Sequence, residues 1–292
     1  LTMAGWPLKQ TDKYALAKET AKEVIESGKY SLLPRYEDLW KEATCGDDTE
    51  HILALNHTIV GSSNYGISYM AMEENAGAWS DYLADSCFYE RYPEDTRKAF
   101  NFVTKFGEGK RAKDFKVSEM RSPAINKYRD YGGIEPLSAQ TSGITPIYRY
   151  ADVLLIYAEA MNEAYGPEGV TEELNISART AINMVRGRTG LGIAALTVED
   201  VPSKIAFRLA LRKERMAELA FEDHRFWDIR RWKIGSETTK IKRVSISKAG
   251  EGLSFEYSVN ADRTWDDSMY FYPIPQAEIY KNSKLVQNPG WK

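Results

Sequence analysis

Cysteine and histidine are scarce in this chain. Two cysteines, Cys45 and Cys87, and three histidines, His51, His57 and His224, occur in 292 residues. The cysteine spacing fits no zinc or redox motif, which leaves two buried or free thiols or a single disulfide. The histidines form no His-Glu-x-x-His pair. His51 and His57, six apart on a strand, would share a face but lie far from each other. No metal site and no cofactor is expected. No apolar run approaches the roughly 18 residues that span a bilayer. The opening Leu1-Thr2-Met3-Ala4-Gly5-Trp6-Pro7 does not read as a signal peptide.

An excess of either charge is also missing. The chain has 39 basic and 42 acidic residues, a net charge of −3, with Lys and Arg spread along its length. No block points to nucleic acid, and no run points to a disordered tail. Nucleophile signatures are absent: there is no G-x-S-x-G and no cysteine with a sequence-local partner. Arg186-Gly187-Arg188-Thr189-Gly190 fits neither the P-loop nor the dinucleotide fingerprint.

What is present describes a folded body. Hydrophobic residues make up 43% and charged residues 28%, enough for one large domain or two ordinary ones. Apolar spacing predicts a helix over about Asp12 to Ser27, stopped by Gly28. A short helix is expected at Pro34 to Glu42 and a strand at His51–Leu55. Residues 56–144 carry no long period and read as an irregular lobe, with short helices near 79–85 and 93–99 and strand pairing near 99–106. Helices return over 146–165, with Pro146 in the first turn, over 172–187 with Thr171 as cap, and over 198–221 with a Thr197–Asp200 capping pair. The first two of these form a helical hairpin around Gly166-Pro167. Strands follow at 240–246 and 253–258, and a short helix starts at Pro275.

Carboxylates recur every four residues at Glu214, Glu218 and Glu222, beside Arg208, Arg212, Arg215 and Arg225. A di-iron site would need Glu-x-x-His, and Arg225 stands where that histidine would be. An ion-pair network along a packed helix is the expectation. Asp262, Asp266 and Asp267 lack the spacing and glycine of a calcium loop. A glycosidase would need two facing carboxylates at a set separation, which spacing along the chain does not define.

Aromatics carry the strongest local signal. Tyr65, Tyr69, Trp79, Tyr82, Phe88, Tyr89 and Tyr92 make 7 in 28 residues, about twice the chain average of 12%, and all lie in the irregular lobe. Most would serve as a local core. Sugar rings stack their C–H faces on Trp and Tyr, while their hydroxyls need polar partners such as Asn64, Asn75, Glu73, Glu74 or Asp81.

Four blocks then resemble the SusD/RagB family. Tyr148-Arg149-Tyr150-Ala151-Asp152-Val153-Leu154-Leu155-Ile156-Tyr157-Ala158-Glu159-Ala160 is similar to its Arg-x-Ala-Glu-x-x-Leu-x-x-Ala-Glu-Ala helix, with Asp152 for the commoner Glu. Asn183 to Leu191 is similar to the next helix end. Glu214-Arg215-Met216-Ala217-Glu218-Leu219-Ala220-Phe221-Glu222 with His224-Arg225-Phe226-Trp227-Asp228 is the most diagnostic block. Tyr272-Pro273-Ile274-Pro275 with Gln287-Asn288-Pro289-Gly290-Trp291 matches the ending, and Val24 to Tyr30 fits near the start.

The resemblance implies a mainly α fold. It would be a tetratricopeptide-like scaffold, with helices at about 12–45 and 146–235, an irregular ligand-binding lobe at about 56–144, and strands and a short helix over 236–292. It implies one domain over 1–292 that lacks its N-terminal part, since family proteins begin with a signal, an anchoring cysteine and further helices. It implies non-catalytic capture of nutrient glycans at the outer-membrane surface, a lipid anchor outside this chain, and a SusC-like TonB-dependent barrel as partner. Tyr65, Tyr69, Trp79, Tyr82, Asn64 and Asp81 are the expected ligand-binding residues. Arg149, Asp152, Glu159, Glu214, Arg215, Glu222 and Arg225 are expected in scaffold ion pairs, with no catalytic residue. Peptide capture, as RagB-type members imply, and a helical-repeat interaction scaffold are the alternatives.

Overall fold

The computed structural model describes every residue except 6, 7, 42, 43, 45, 47, 48, 59–80, 108, 129–142, 250, 251 and 292. After a single turn at Thr2–Gly5, helix α1 runs over Lys13–Glu26. It turns Tyr14, Ala17, Lys18 and Ala21 inward at helical spacing. Gly28, with φ 61°, ends it as expected. The short helix expected at 34–42 reduces to a 3-10 turn, Tyr36–Leu39.

Strand β1 forms at the expected His51–Leu55. The lobe that follows differs in register from expectation. Asp81 to Asp85 are not helical; helix α2 is Ser86–Arg91 and α3 is Thr96–Asn101. Each starts where an aspartate can cap it. Asp85 accepts from Phe88 N at 2.7 Å, and Asp95 from Arg97 N at 2.9 Å. Among the described residues of the lobe four two-residue strands follow: β2 Phe102–Val103, β3 Lys105–Phe106, β4 Lys113–Asp114 and β5 Ala124–Ile125. The pairs are β2 with β5 and β3 with β4, both antiparallel.

The helix expected from 146 begins four residues later. Thr145–Arg149 is strand β6, antiparallel to β1, with His51 opposite Arg149. Ile147 and Tyr148 favour a strand, and a two-stranded sheet tolerates Pro146 at its edge. Helix α4 then covers Tyr150–Tyr165 and stops at Gly166, φ 90°. Helix α5 is Ala178–Arg186, shorter than the expected 172–187. Ser177, not Thr171, caps it, accepting from Thr180 N at 3.1 Å. Residues 172–177 stay outside the helix, and the Ile176 carbonyl accepts instead from Tyr157 Oη at 2.9 Å. The hairpin connection is therefore long rather than a tight Gly-Pro turn.

Helix α6 is Lys204–Glu218, capped by Ser203, not a helix over 198–221. The Thr197–Asp200 reciprocal pair does form, at 2.8 and 3.2 Å, but it closes a turn ahead of the helix. Pro202 explains the gap, because the residue before a proline avoids helical geometry. Helix α7, His224–Arg231, follows. Strands β7 Lys240–Ala249 and β8 Gly252–Asp262 form the C-terminal hairpin, and α8, Gln276–Lys281, starts after Pro275.

The main core lies between α1, α4, α5 and α6. Leu154, Leu155, Ala158 and Met161 of α4 meet Ala181, Ile182 and Val185 of α5 and Phe207 and Leu211 of α6, all fully buried. The fold is mainly α: a tetratricopeptide-like helical scaffold, a loop-rich lobe and a few short strands.

Candidate functional site

The lobe has its own aromatic core. Phe88, Tyr89 and Tyr92 surround Phe102, with ring centroids 5.1 to 5.8 Å apart and edge-on geometry. Phe221, from the end of the scaffold block, completes the cluster at 5.5 Å from Phe102. Three of the seven lobe aromatics thus pack in a local core; Tyr65, Tyr69 and Trp79 lie outside the described residues.

Beneath that core, lobe and scaffold are joined by buried ion pairs. Arg149 uses all five of its donors. Its Nε and Nη2 take Glu222 at 2.7 and 2.9 Å; its Nη1 takes Glu50 at 2.9 Å and Glu218 at 2.8 Å; and Nη2 also meets the Glu218 carbonyl at 2.6 Å. Arg188 holds Glu50 at 2.7 and 2.9 Å and Glu218 at 3.0 Å. Arg97 of α3 reaches Glu214 at 2.6 Å and Glu218 at 2.8 Å, with Asp95 beside it at 2.8 Å. Lys127 donates to Glu222 at 2.5 Å and lies 4.3 Å over the Trp40 ring. Arg186 closes the rim on Glu214 at 2.9 Å. Arg97, Lys127, Arg149, Arg186 and Arg188 therefore balance Glu50, Asp95, Glu214, Glu218 and Glu222, five against five.

Charge balance sets the protonation states. Burial alone would raise the Glu222 carboxyl, but Arg149 and Lys127 outweigh it and hold the group at about 2. Glu218 is likewise held down, against burial, by Arg149, Arg188 and Arg97. Burial pulls the Lys127 ammonium to about 8, although Glu222 opposes it. Glu218 and Glu222 are thus ionised members of a structural tie.

A second tie joins α4, α6 and α7. Arg215 bridges Asp152 at 2.7 Å and Asp228 at 3.1 Å, and Arg231 bridges Asp228 at 2.7 Å and Glu159. Six of the seven residues expected in scaffold ion pairs are in these two ties. Arg225 is the exception: it lies over the Trp232 ring at 5.9 Å, turned to an aromatic rather than a carboxylate. Arg212 likewise lies over Trp232, at 4.9 Å.

The expected ligand-binding residues divide in two. Asp81 and Tyr82 are described and exposed; Tyr82 is 61% exposed, unlike half-buried Phe88 and Tyr89 and buried Tyr92. Asn64, Tyr65, Tyr69 and Trp79, with Glu73, Glu74 and Asn75, fall outside the described residues, as does Cys45. Cys87 is a free thiol, raised by burial. His57 is past the end of β1, its Nε2 3.1 Å from Thr145 Oγ1, so the two histidines do not share a strand. Asp266 accepts from Ser268 N at 2.9 Å and caps a turn. Among the described residues no cluster of His, Cys, Asp and Glu is suited to a metal ion.

Sequence reading missed Glu50, Arg97, Lys127 and Arg188. Three lie in or beside segments without periodicity, and Arg188 falls in the Asn183 to Leu191 block with no carboxylate partner nearby in sequence.

A tetratricopeptide-like helical scaffold locked by buried ion pairs to a loop-rich lobe defines the class of protein. The chain belongs to the SusD family, whose profile matches residues 50–291. SusD-like protein P2 of Formosa agariphila is 29% identical over 254 residues, covering 80% of this chain and 46% of that protein. Among solved structures, a SusD-like protein from Bacteroides fragilis is 26% identical with a TM-score of 0.66, over 96% of this chain and 63% of that one. A SusD superfamily protein from Parabacteroides distasonis (24% identity, TM-score 0.68, 99% of this chain and 60% of that one) shares the fold. So does surface glycan-binding protein A from Bacteroides fluxus (23%, 0.67, 97% and 60%). The chain spans about half the length of its curated relative and three-fifths of these solved chains.

Proposed function

We propose that this chain captures nutrient glycans at the cell surface without cleaving them, and hands them to a SusC-like TonB-dependent barrel in the outer membrane. The observation that carries the reading is membership of the SusD family, together with relatives of the same fold described as surface glycan-binding proteins. The ion-pair ties support the non-catalytic part. The carboxylates of the diagnostic blocks are buried and each held by a guanidinium or ammonium group, so they serve the scaffold.

Tyr65, Tyr69, Trp79 and Tyr82 are the proposed stacking surfaces, and Asn64 and Asp81 the proposed hydroxyl partners. Aromatic faces meet the C–H faces of sugar rings, and polar side chains fix their orientation. The lipid anchor and the barrel partner belong to the same reading, with the protein acting as a substrate-holding lid. Tryptophan fluorescence tests the site. Addition of the cognate oligosaccharide quenches it saturably, and Trp79→Ala abolishes the change. Unaltered fluorescence and no binding across poly- and oligosaccharides, with binding to peptides instead, would move the chain to peptide capture.

A further inference from the structure

The cations of the two buried ties are all matched, yet one part of the lobe presents cations that are not. The segment from β3 to β4 carries Lys105, Lys110, Arg111 and Lys113, all exposed. None of the four makes an ion pair among the described residues, whereas neighbouring Lys116 is bound to Glu90 at 2.9 Å. The only described carboxylate on this hairpin is Asp114, which accepts from Lys116 N at 2.9 Å. Four exposed cations without an ion pair among the described residues, against one described carboxylate, stand out in a short hairpin of a chain of net charge −3. Sequence reading passed over them because basic residues recur throughout the chain.

The hairpin is built to hold its shape. Phe115 at its base is buried and packs edge-on against Tyr89 at 5.4 Å. Phe115 N donates to Thr104 O at 2.8 Å. Lys110 and Arg111 sit in a 3-10 turn, Gly109–Arg111, reached through Gly107 at φ 90° and Gly109 at φ 53°. Strand β7, which adds Lys240, Lys242, Arg243 and Lys248, docks on the same lobe. Its Lys242 N donates to Asp85 at 2.6 Å and its Val244 N to Arg121 O at 3.0 Å.

The hairpin also continues from the strands beside Tyr82. Leu83 bridges Ala124, and Ala124 pairs with Val103, so the three lie side by side across about 10 Å. Lys105 follows Val103 by two residues. A chain stacked on exposed Tyr82 would reach the hairpin within roughly 15 Å, the span of a short oligosaccharide.

We infer that the glycan taken by this chain is anionic, bearing sulfate or carboxylate groups, and that Lys105, Lys110, Arg111 and Lys113 hold those groups beside Tyr82. This inference rests on the glycan-capture reading. Charge-assisted hydrogen bonds from Lys and Arg to such oxygens are stronger than those to hydroxyls, and a one-signed surface raises the local concentration of an oppositely charged ligand.

The test compares a neutral panel (dextran, laminarin, galactomannan) with an anionic one (polygalacturonate, alginate, dextran sulfate, chondroitin sulfate). Binding is measured by calorimetry at roughly 0.15 M salt, where weak surface attraction is largely screened. An anionic member binds roughly tenfold or more tightly than any neutral one, and its identity separates carboxylate from sulfate. The exposed variant K105Q/K110Q/R111Q/K113Q keeps its circular dichroism and melting temperature but loses that preference, whereas K281Q/K284Q retains it. Neutral glycans binding as well as anionic ones would overturn the inference and leave glycan capture standing. An anionic preference unchanged in the fourfold variant would also overturn it. No binding to either panel would remove both readings.

Discussion

Arg149 and Glu222 form a two-pronged ion pair, at 2.7 and 2.9 Å, between the last residue of β6 and the turn after α6. The turn is bent to permit it. Phe221 and Asp223, on either side of Glu222, both adopt left-handed backbone, at φ 64° and 63°. That conformation costs roughly 1–2 kcal/mol in a residue with a side chain. Phe221 offsets it by filling the lobe's aromatic core, and Glu222 by satisfying Arg149 and Lys127.

Removal of one partner leaves the others charged and unmatched in the interior. Glu222→Gln therefore destabilises the fold by about 3–5 kcal/mol, read from urea denaturation. Arg149→Met costs at least as much, because Glu50, Glu218 and Glu222 all lose a partner.

The same pair gives an acid dependence. Glu222 titrates at about 2 in the folded protein against an ordinary 4.5. Its contribution is complete above about pH 4.5 and is lost as pH falls toward 2, because the unfolded chain then binds more protons. Denaturation midpoints fall across that window in the parent chain, and the Glu222→Gln variant lacks this component of the fall.

Lys127 gives a dependence at the alkaline end. Burial places its ammonium at about 8, below the ordinary 10.5. Between these values the unfolded chain binds more protons, so this group adds stability as pH rises. The difference in unfolding free energy between the parent and Lys127→Met therefore changes through that window and is flat below it.

Helix α5 separates two capping assignments. Ser177→Ala removes the acceptor for Thr180 N and costs about 1 kcal/mol. Thr171→Ala leaves that cap intact and changes the thermal midpoint much less.

Elements with a clear apolar period were legible in the sequence. Helix α1, strand β1 and the body of α4 lie where spacing placed them. Helix starts were less legible, because several residues could cap. Thr171 and Thr197 each precede an acidic first turn, but Ile176 and Pro202 commit the chain to extended backbone, leaving Ser177 and Ser203 as the caps. Strand β6 was hidden because its partner lies almost a hundred residues earlier in sequence. The scaffold half of the ion-pair core was readable from the carboxylates recurring at Glu214, Glu218 and Glu222. The lobe half was not: Arg97 meets Glu214 and Glu218, and Lys127 meets Glu222, only when the lobe folds back on α6 and the turn after it. In the ligand region, the sequence separated core aromatics from candidate contacts only by position, whereas the exposure of Tyr82 and the burial of Tyr92 draw that line physically.

Glycan capture without turnover is the central claim, and one experiment bears on it directly. The chain is titrated calorimetrically with oligosaccharides drawn from both charge classes, and each sugar is recovered after long incubation and sized by chromatography. The account predicts saturable binding to at least one of them, weakened by Trp79→Ala, with the sugar recovered at its original length. Shortened sugar, or no binding to any member of either class, would contradict it.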